Sequence, residues 1–307
     1  MPFTVAQLLC ALLLPAALAA LLTVVARDLR DAAVGCMRVG LGGLMLILTI
    51  AVAHVATAMA VDARLMPPLL GWHWLPWAAF AVVPLMVLAL PRRLTGATAP
   101  TTLAAGVIGE VCRWLIVAMV TAAGGWLVLR PMPFSDSFTL FHLVGGLTAA
   151  ALSTIASGIL SSPAHPTPFL DRVTAVIYSG GIAIGILATG SKDLALLAGI
   201  IPAAIIGGSF QFRTSGPWTG GLLATAMVTS WHLLIAASYS ELPWWNAPIF
   251  AVALPAALAA ARLGTTPKRR AWWQIGTALM VIGIALALAA TLGQPSVPAS
   301  DEPSYRY

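Results

Sequence analysis

The sequence predicts an all-α polytopic membrane protein of about ten transmembrane helices, with both termini outside and a parallel repeat of spans 1–4 and 7–10. Three observations predict it. Of the 307 residues, 60% are hydrophobic and only 8% charged, at a mean hydropathy of +0.93, whereas soluble domains carry about a quarter charged residues. The apolar residues run in long uninterrupted blocks rather than in alternating or helical-period stripes. The basic residues fall mostly on one side of those blocks.

With about 20 apolar residues per crossing, the spans lie at 5–26, 33–61, 75–91, 103–129, 138–160, 173–190, 194–210, 219–239, 246–263 and 272–293. Helices are implied, because backbone polar groups in hydrocarbon must be satisfied within the segment. The first block ends in Ala17-Leu18-Ala19, which could pass for a signal-peptide cleavage site. Its charges, Arg27 and Arg30, follow the apolar run rather than precede it, which suits a first span with its N-terminus outside. Cys10 follows Leu9, not the small residue of a lipoprotein cleavage site. Residues 1–293 are read as a single transmembrane helical domain. Residues 294–307, beginning QPSVPASDEP, are read as a flexible polar C-terminal tail.

A charge census tests the orientation. With the N-terminus outside, inner loops and helix ends hold Arg27, Arg30, Arg38, Arg92, Arg93, Arg172, Arg213, Arg262, Lys268, Arg269 and Arg270. The outer side holds Arg64, Arg130, Lys192 and Arg306, and Arg113 is inside a span. One misplaced crossing would destroy that asymmetry. Tryptophans fit the same frame, with Trp72, Trp74, Trp77, Trp126, Trp244 and Trp245 at the outer boundary and Trp218, Trp272 and Trp273 at the inner one. The net charge of +6 and pI near 9.8 follow from this arrangement. No basic stripe with aromatics accompanies the charge, so no nucleic-acid partner is expected. Cys10, Cys36 and Cys112 have neither disulfide nor metal-site spacing.

An internal pattern pairs spans 2–4 with 8–10. Gly42-Gly43-Leu44 precedes His54 as Gly220-Gly221-Leu222 precedes His232, and Leu-Pro-Trp follows at 75–77 and 242–244. Phe80-Ala81-Val82 with Pro84 matches Phe250-Ala251-Val252 with Pro255, and Pro15-Ala16-Ala17 matches Pro202-Ala203-Ala204. The offset is six helices, so matched spans run the same way, as a parallel repeat about an axis along the membrane normal requires. Size and span count are similar to drug/metabolite-type transporters. Their five-helix inverted repeats would pair span 2 with span 7, which the sequence does not show, and no family is assigned.

Three groups of residues could carry chemistry. Glu110 and Arg113 in GVIGEVCRWLI are three apart and share a helix face within span 4. They read either as a coupling carboxylate with its arginine or as a neutralised pair stapling the helix to a neighbour. His54 and His232 are equivalent in the repeat, and facing a common axis they could hold a metal ion or haem iron; otherwise each bonds a neighbouring helix. Spans 5 to 7 carry Ser153, Ser157 and Pro202 among small residues, a pattern that serves close packing and also marks the interrupted helices of transporter binding sites. HExxH, GxSxG, the P-loop and the Asp-rich prenyl-diphosphate motif are absent. No enzyme is expected and no cofactor is assigned.

The expected function is a small-solute permease or secondary transporter of the cytoplasmic membrane, with substrate or ion pathway residues Glu110, Arg113, Ser153, Ser157 and Pro202. The alternative is a non-catalytic integral subunit of a larger, redox-linked membrane complex. The partners are the lipid bilayer with either a small solute or neighbouring subunits, and the Ala/Leu/Gly/Arg-rich composition points to a bacterial inner membrane.

Overall fold

Each expected span coincides with a helical rod in the computed structural model, which describes residues 3–32, 37–61, 71–88, 103–129, 140–160, 168–209, 219–239 and 242–292. Among the described residues there is no strand. The tail 294–307, together with Cys36, Arg64, Arg92, Arg93, Arg130, His165, Arg213, Trp218 and Arg306, lies outside them.

The first rod combines α1 (Val5–Leu8), a π turn (Leu9–Leu13) and α2 (Leu14–Ala32). Thr4 and Gln7 form a capping box at its start, each side chain accepting from the other's backbone N–H. The π turn has a local cause. Pro15 has no N–H to return to the preceding turn, and the Leu14 N–H instead reaches back five residues to Leu9.

There follow α3 (Met37–Ala60), a 3₁₀ turn (Gly71–Trp74) leading into α4 (Leu75–Leu88), α5 (Leu103–Leu129), α6 (Leu140–Leu160) and α7 (Pro168–Ala188). The last four are α8 (Lys192–Ser209), α9 (Thr219–Tyr239), α10 (Asn246–Ala261) and α11 (Pro267–Leu292). Helices α7 and α11 begin five residues before the expected spans. Proline at the first helical position and Asp171 in the first turn favour a helix start there, whereas the span estimate follows hydrophobicity alone. Gly190, at φ 84°, makes the tight turn from α7 to α8 in a backbone region that other residues resist.

Among the described residues, seven helices are long and apolar enough to cross a membrane, and Leu44–Ala60 of α3 and Asn246–Ala261 are shorter apolar stretches. This is the make-up of an integral membrane protein with several crossings. Large apolar side chains such as Val107, Ile108, Leu115, Met119 and Ile184 are exposed on the outer faces, as lipid-facing positions are.

Helix α9 is the centre of the molecule. It packs against α3, α4, α5, α6, α7, α8 and α10, and every residue from Gly221 to Ala237 is buried. Trp231 is the largest of them, its indole N–H donating to the Thr121 carbonyl of α5 at 2.9 Å. Gly124 leaves the space that this ring fills, since a Cβ there would meet the indole. Helices α2 and α8 approach still more closely: a Cβ on Gly207 would overlap the backbone of Ala16.

Candidate functional site

Residues three, four and seven apart on a helix share a face. On α9 this aligns Thr225, Thr229 and His232, all buried; on α3 it aligns His54 and Thr57, also buried. The two histidines meet between these helices. Their Nε2 atoms are 3.3 Å apart, and both side chains are fully buried. The ring centroids are 5.3 Å apart with an interplanar angle of 47°. Each ring is held by its other nitrogen, His54 Nδ1 lying 2.7 Å from the Ile50 carbonyl and His232 Nδ1 2.9 Å from the Val228 carbonyl. The equivalent atom of each ring meets its partner, and the equivalent carbonyl four residues back orients it.

The same geometry limits what the pair can bind. Two imidazole nitrogens on opposite sides of one metal ion stand roughly 4 Å apart, twice a bond of about 2.0–2.1 Å. At 3.3 Å the rings are too close for an ion in line or a haem plane between them. A bent arrangement on one ion needs further ligands, and among the described residues no third His, Cys, Asp or Glu joins them.

The opposite face of α9 borders a cavity. Ser230 is two residues from His232 and therefore points nearly the other way. It lines a cavity of about 480 Å³ between α6, α9 and α10, together with His142, Gly146, Leu234, Trp244 and Pro248. The walls are apolar, with the His142 and Trp244 rings in contact at 5.3 Å between centroids. Close by, the buried Tyr178 hydroxyl of α7 lies beside Ser153 and Ser230 without a well-formed hydrogen bond to either. The Thr57 and Thr229 hydroxyls and the Asn246 carbonyl oxygen are likewise buried with unused hydrogen-bonding capacity. Buried polar groups normally find partners; here Tyr178, beside Ser230, and Asn246, next to the lining residue Ala247, neighbour the cavity, whereas Thr57 and Thr229 belong to the histidine seam.

The other sequence-nominated residues fall in different settings. Ser153 is buried and donates to the Ala251 carbonyl at 2.7 Å, tying α6 to α10. Ser157 donates to the Ser153 carbonyl, within its own helix. Pro202 lies inside α8, with its Cβ 4.0 Å from where a Cβ on Gly180 would stand. Glu110 and Arg113 do pair, and Arg113 also stacks 4.5 Å from the Trp114 ring centre. However, Glu110 is 50% exposed, among exposed Val107, Ile108 and Val111. Glu110 faces outward, whereas Arg113 is only 17% exposed and its Nε is buried without a hydrogen-bond partner.

Three features escaped sequence reasoning. Tyr178 was one aromatic among many. The Thr225–Thr229–His232 stripe was legible as a spacing but was masked by the apolar composition around it. Asp171 accepts from Gln274 Nε2 at 3.0 Å, joining α7 to α11, and it preceded the expected span. His73, in the 3₁₀ turn, is buried, and desolvation holds its imidazole below its ordinary value. No protein-family model, curated protein or solved structure matches this chain.

Proposed function

We propose that the chain is a small-solute permease or secondary transporter of the cytoplasmic membrane, with its solute site in the cavity between α6, α9 and α10. The observation that carries this is the central helix α9. It presents Ser230 to a 480 Å³ cavity on one face and His232 to a buried polar seam on the other. A membrane helix enclosed on all sides has no need of a polar stripe for anchoring, and intramembrane polar residues mark solute and ion pathways. The apolar walls and paired aromatic rings suit a lipophilic or amphipathic solute with one polar group for Ser230 or Tyr178.

The reading includes ten crossings, both termini outside, and a bacterial inner membrane. A parallel repeat is supported by the way His54 and His232 meet through the same atom and are oriented by the same carbonyl position. Residues related by a two-fold axis do this when they face each other across it.

A second reading, a non-catalytic subunit of a larger membrane complex, draws on the exposed apolar faces of α5 and α11, which a partner could cover as well as lipid. Native mass spectrometry of the protein extracted from its own membrane in mild detergent separates the two. A monomer or homo-oligomer with a bound small molecule is the expected result. Stoichiometric unrelated subunits would overturn the transporter.

A further inference from the structure

The geometry points to His54 and His232 as a single site for one proton, shared between the two imidazoles in the interior of the protein. The number of hydrogens on the two rings decides it. Three close polar contacts lie within the pair and its own helices: Nδ1 to the Ile50 carbonyl at 2.7 Å, Nδ1 to the Val228 carbonyl at 2.9 Å, and Nε2 to Nε2 at 3.3 Å; the Leu197 backbone of α8 offers His232 one further acceptor, which supplies no hydrogen. A carbonyl oxygen only accepts, so each Nδ1 contact requires a hydrogen on nitrogen. The Nε2 contact requires one more. Two neutral imidazoles supply one N–H each, two hydrogens for three contacts. In every neutral arrangement of tautomers, one contact sets lone pair against lone pair. One added proton satisfies all three.

The surroundings make that proton exchangeable rather than permanently locked in. The ionisable group that acts electrostatically on His54 is His232 itself. On the elements packed around α3 and α9, the other ionisable side chains stand apart from the pair. Glu110, Cys112 and Arg113 are on α5, Asp171 and Arg172 are near the start of α7, Lys192 and Asp193 open α8, His73 is in the 3₁₀ turn before α4, and Tyr239 ends α9. Arg262 follows α10, His142 lines the cavity behind α9, Cys10 is in the π turn, and Tyr178 sits by Ser153 and Ser230. The α2 charges Arg27, Asp28, Arg30 and Asp31 belong to its last turns, and their side chains lie outside the description. No carboxylate among the described residues bonds to the pair. The bound proton therefore adds one unit of charge to a dry interior, which is costly, while its loss leaves two lone pairs facing each other.

The balance is simple. Proton uptake forms one N–H bond on a bare Nε2, and that N–H donates to the opposite Nε2. Release returns the proton to water or to a solute group and leaves the seam between α3 and α9 with a repulsive contact. A seam that is held when protonated and loosened when not is a two-state element of the kind that couples an ion to a conformational change. As a coupling device it rests on the transporter reading; as a proton site it stands without it.

The test uses full-length protein with ¹⁵N-labelled histidine in liposomes, followed by solid-state NMR. The His54→Gln and His232→Gln variants assign the signals. Wild type is expected to show, within the range of about pH 5 to pH 8, a state with two Nδ1–H groups and an N–H···N correlation between the rings. This signature should appear and vanish as one transition. In His232→Gln the amide can donate to His54 Nε2 without an added proton, so His54 should stay neutral and the transition disappear. Two rings bearing only two N–H hydrogens throughout that range would overturn the proposal, as would a stoichiometric bridging metal ion by elemental analysis. The wild-type spectra decide this even where a variant does not fold. The shared-proton signature in liposomes that move no solute would sink the transporter reading alone. Undiminished proton-driven uptake by His232→Gln would overturn the coupling role alone.

Discussion

Two polar pairs divide this molecule. Glu110 and Arg113 carry full opposite charges, lie three residues apart in the chain and pair on α5 with the carboxylate facing outward. His54 and His232 are 178 residues apart in the chain and pair in the centre. The first pair was conspicuous because its charges interrupt an oily run, and its half-exposed carboxylate is neutralised by Arg113 of the same helix. The second was inconspicuous because a lone histidine in an apolar helix has a satisfactory local partner in the carbonyl four residues back. What separates them is facing, and facing decides how strongly the surroundings act on a polar group.

The contrast can be broken at several points. The largest effect is expected for Trp231→Ala, which empties the centre of α9 and removes the indole bond to the Thr121 carbonyl. A loss of about 4 kcal/mol, read by denaturant titration in detergent, is expected; a cost below about 1 kcal/mol would mean that α9 is not the core. Next comes His232→Ala, which leaves His54 Nε2 buried and unpartnered beside a void. It should cost about 2–3 kcal/mol, and His232→Gln should recover most of that. Equal losses for the two variants would show that ring packing, not the Nε2 contact, holds the seam.

Smaller changes sharpen the comparison. Ser153→Ala removes the α6–α10 bond to the Ala251 carbonyl and is expected to cost about 1 kcal/mol. Glu110→Gln should lie within about 0.5 kcal/mol of wild type and leave solute uptake unchanged. A marked fall in uptake for Glu110→Gln, with stability intact, would return this outer pair to the pathway.

The fold was largely legible in the sequence because hydrophobic block length is a one-dimensional property. All ten blocks matched rods, and the errors lay at helix starts such as Pro168 and Pro267, where capping rather than hydropathy sets the boundary. The site was legible only in part. The equivalence of His54 and His232 followed from spacing after paired glycines, but their contact depended on how far α3 rotates towards α9. Ser153 could be read as small and polar, but not as donating across to Ala251. Tyr178 and Thr229 could not be singled out, since a hydroxyl in a helix is commonly satisfied by its own backbone, as those of Thr225 and Ser230 are.

The burial of α9 also has a consequence in time. Of the helices that enclose it, α3 to α8 are synthesised before it and only α10 after. A helix whose buried stretch bears Thr225, Thr229, Ser230 and His232 would enter lipid poorly alone. At ribosomal pace it emerges when six of its seven neighbours already exist, and it can pass from the insertion machinery into a waiting slot. Moving its coding segment to the front of the gene would present the same helix to bare lipid, and biogenesis would suffer although every contact in the finished protein were kept.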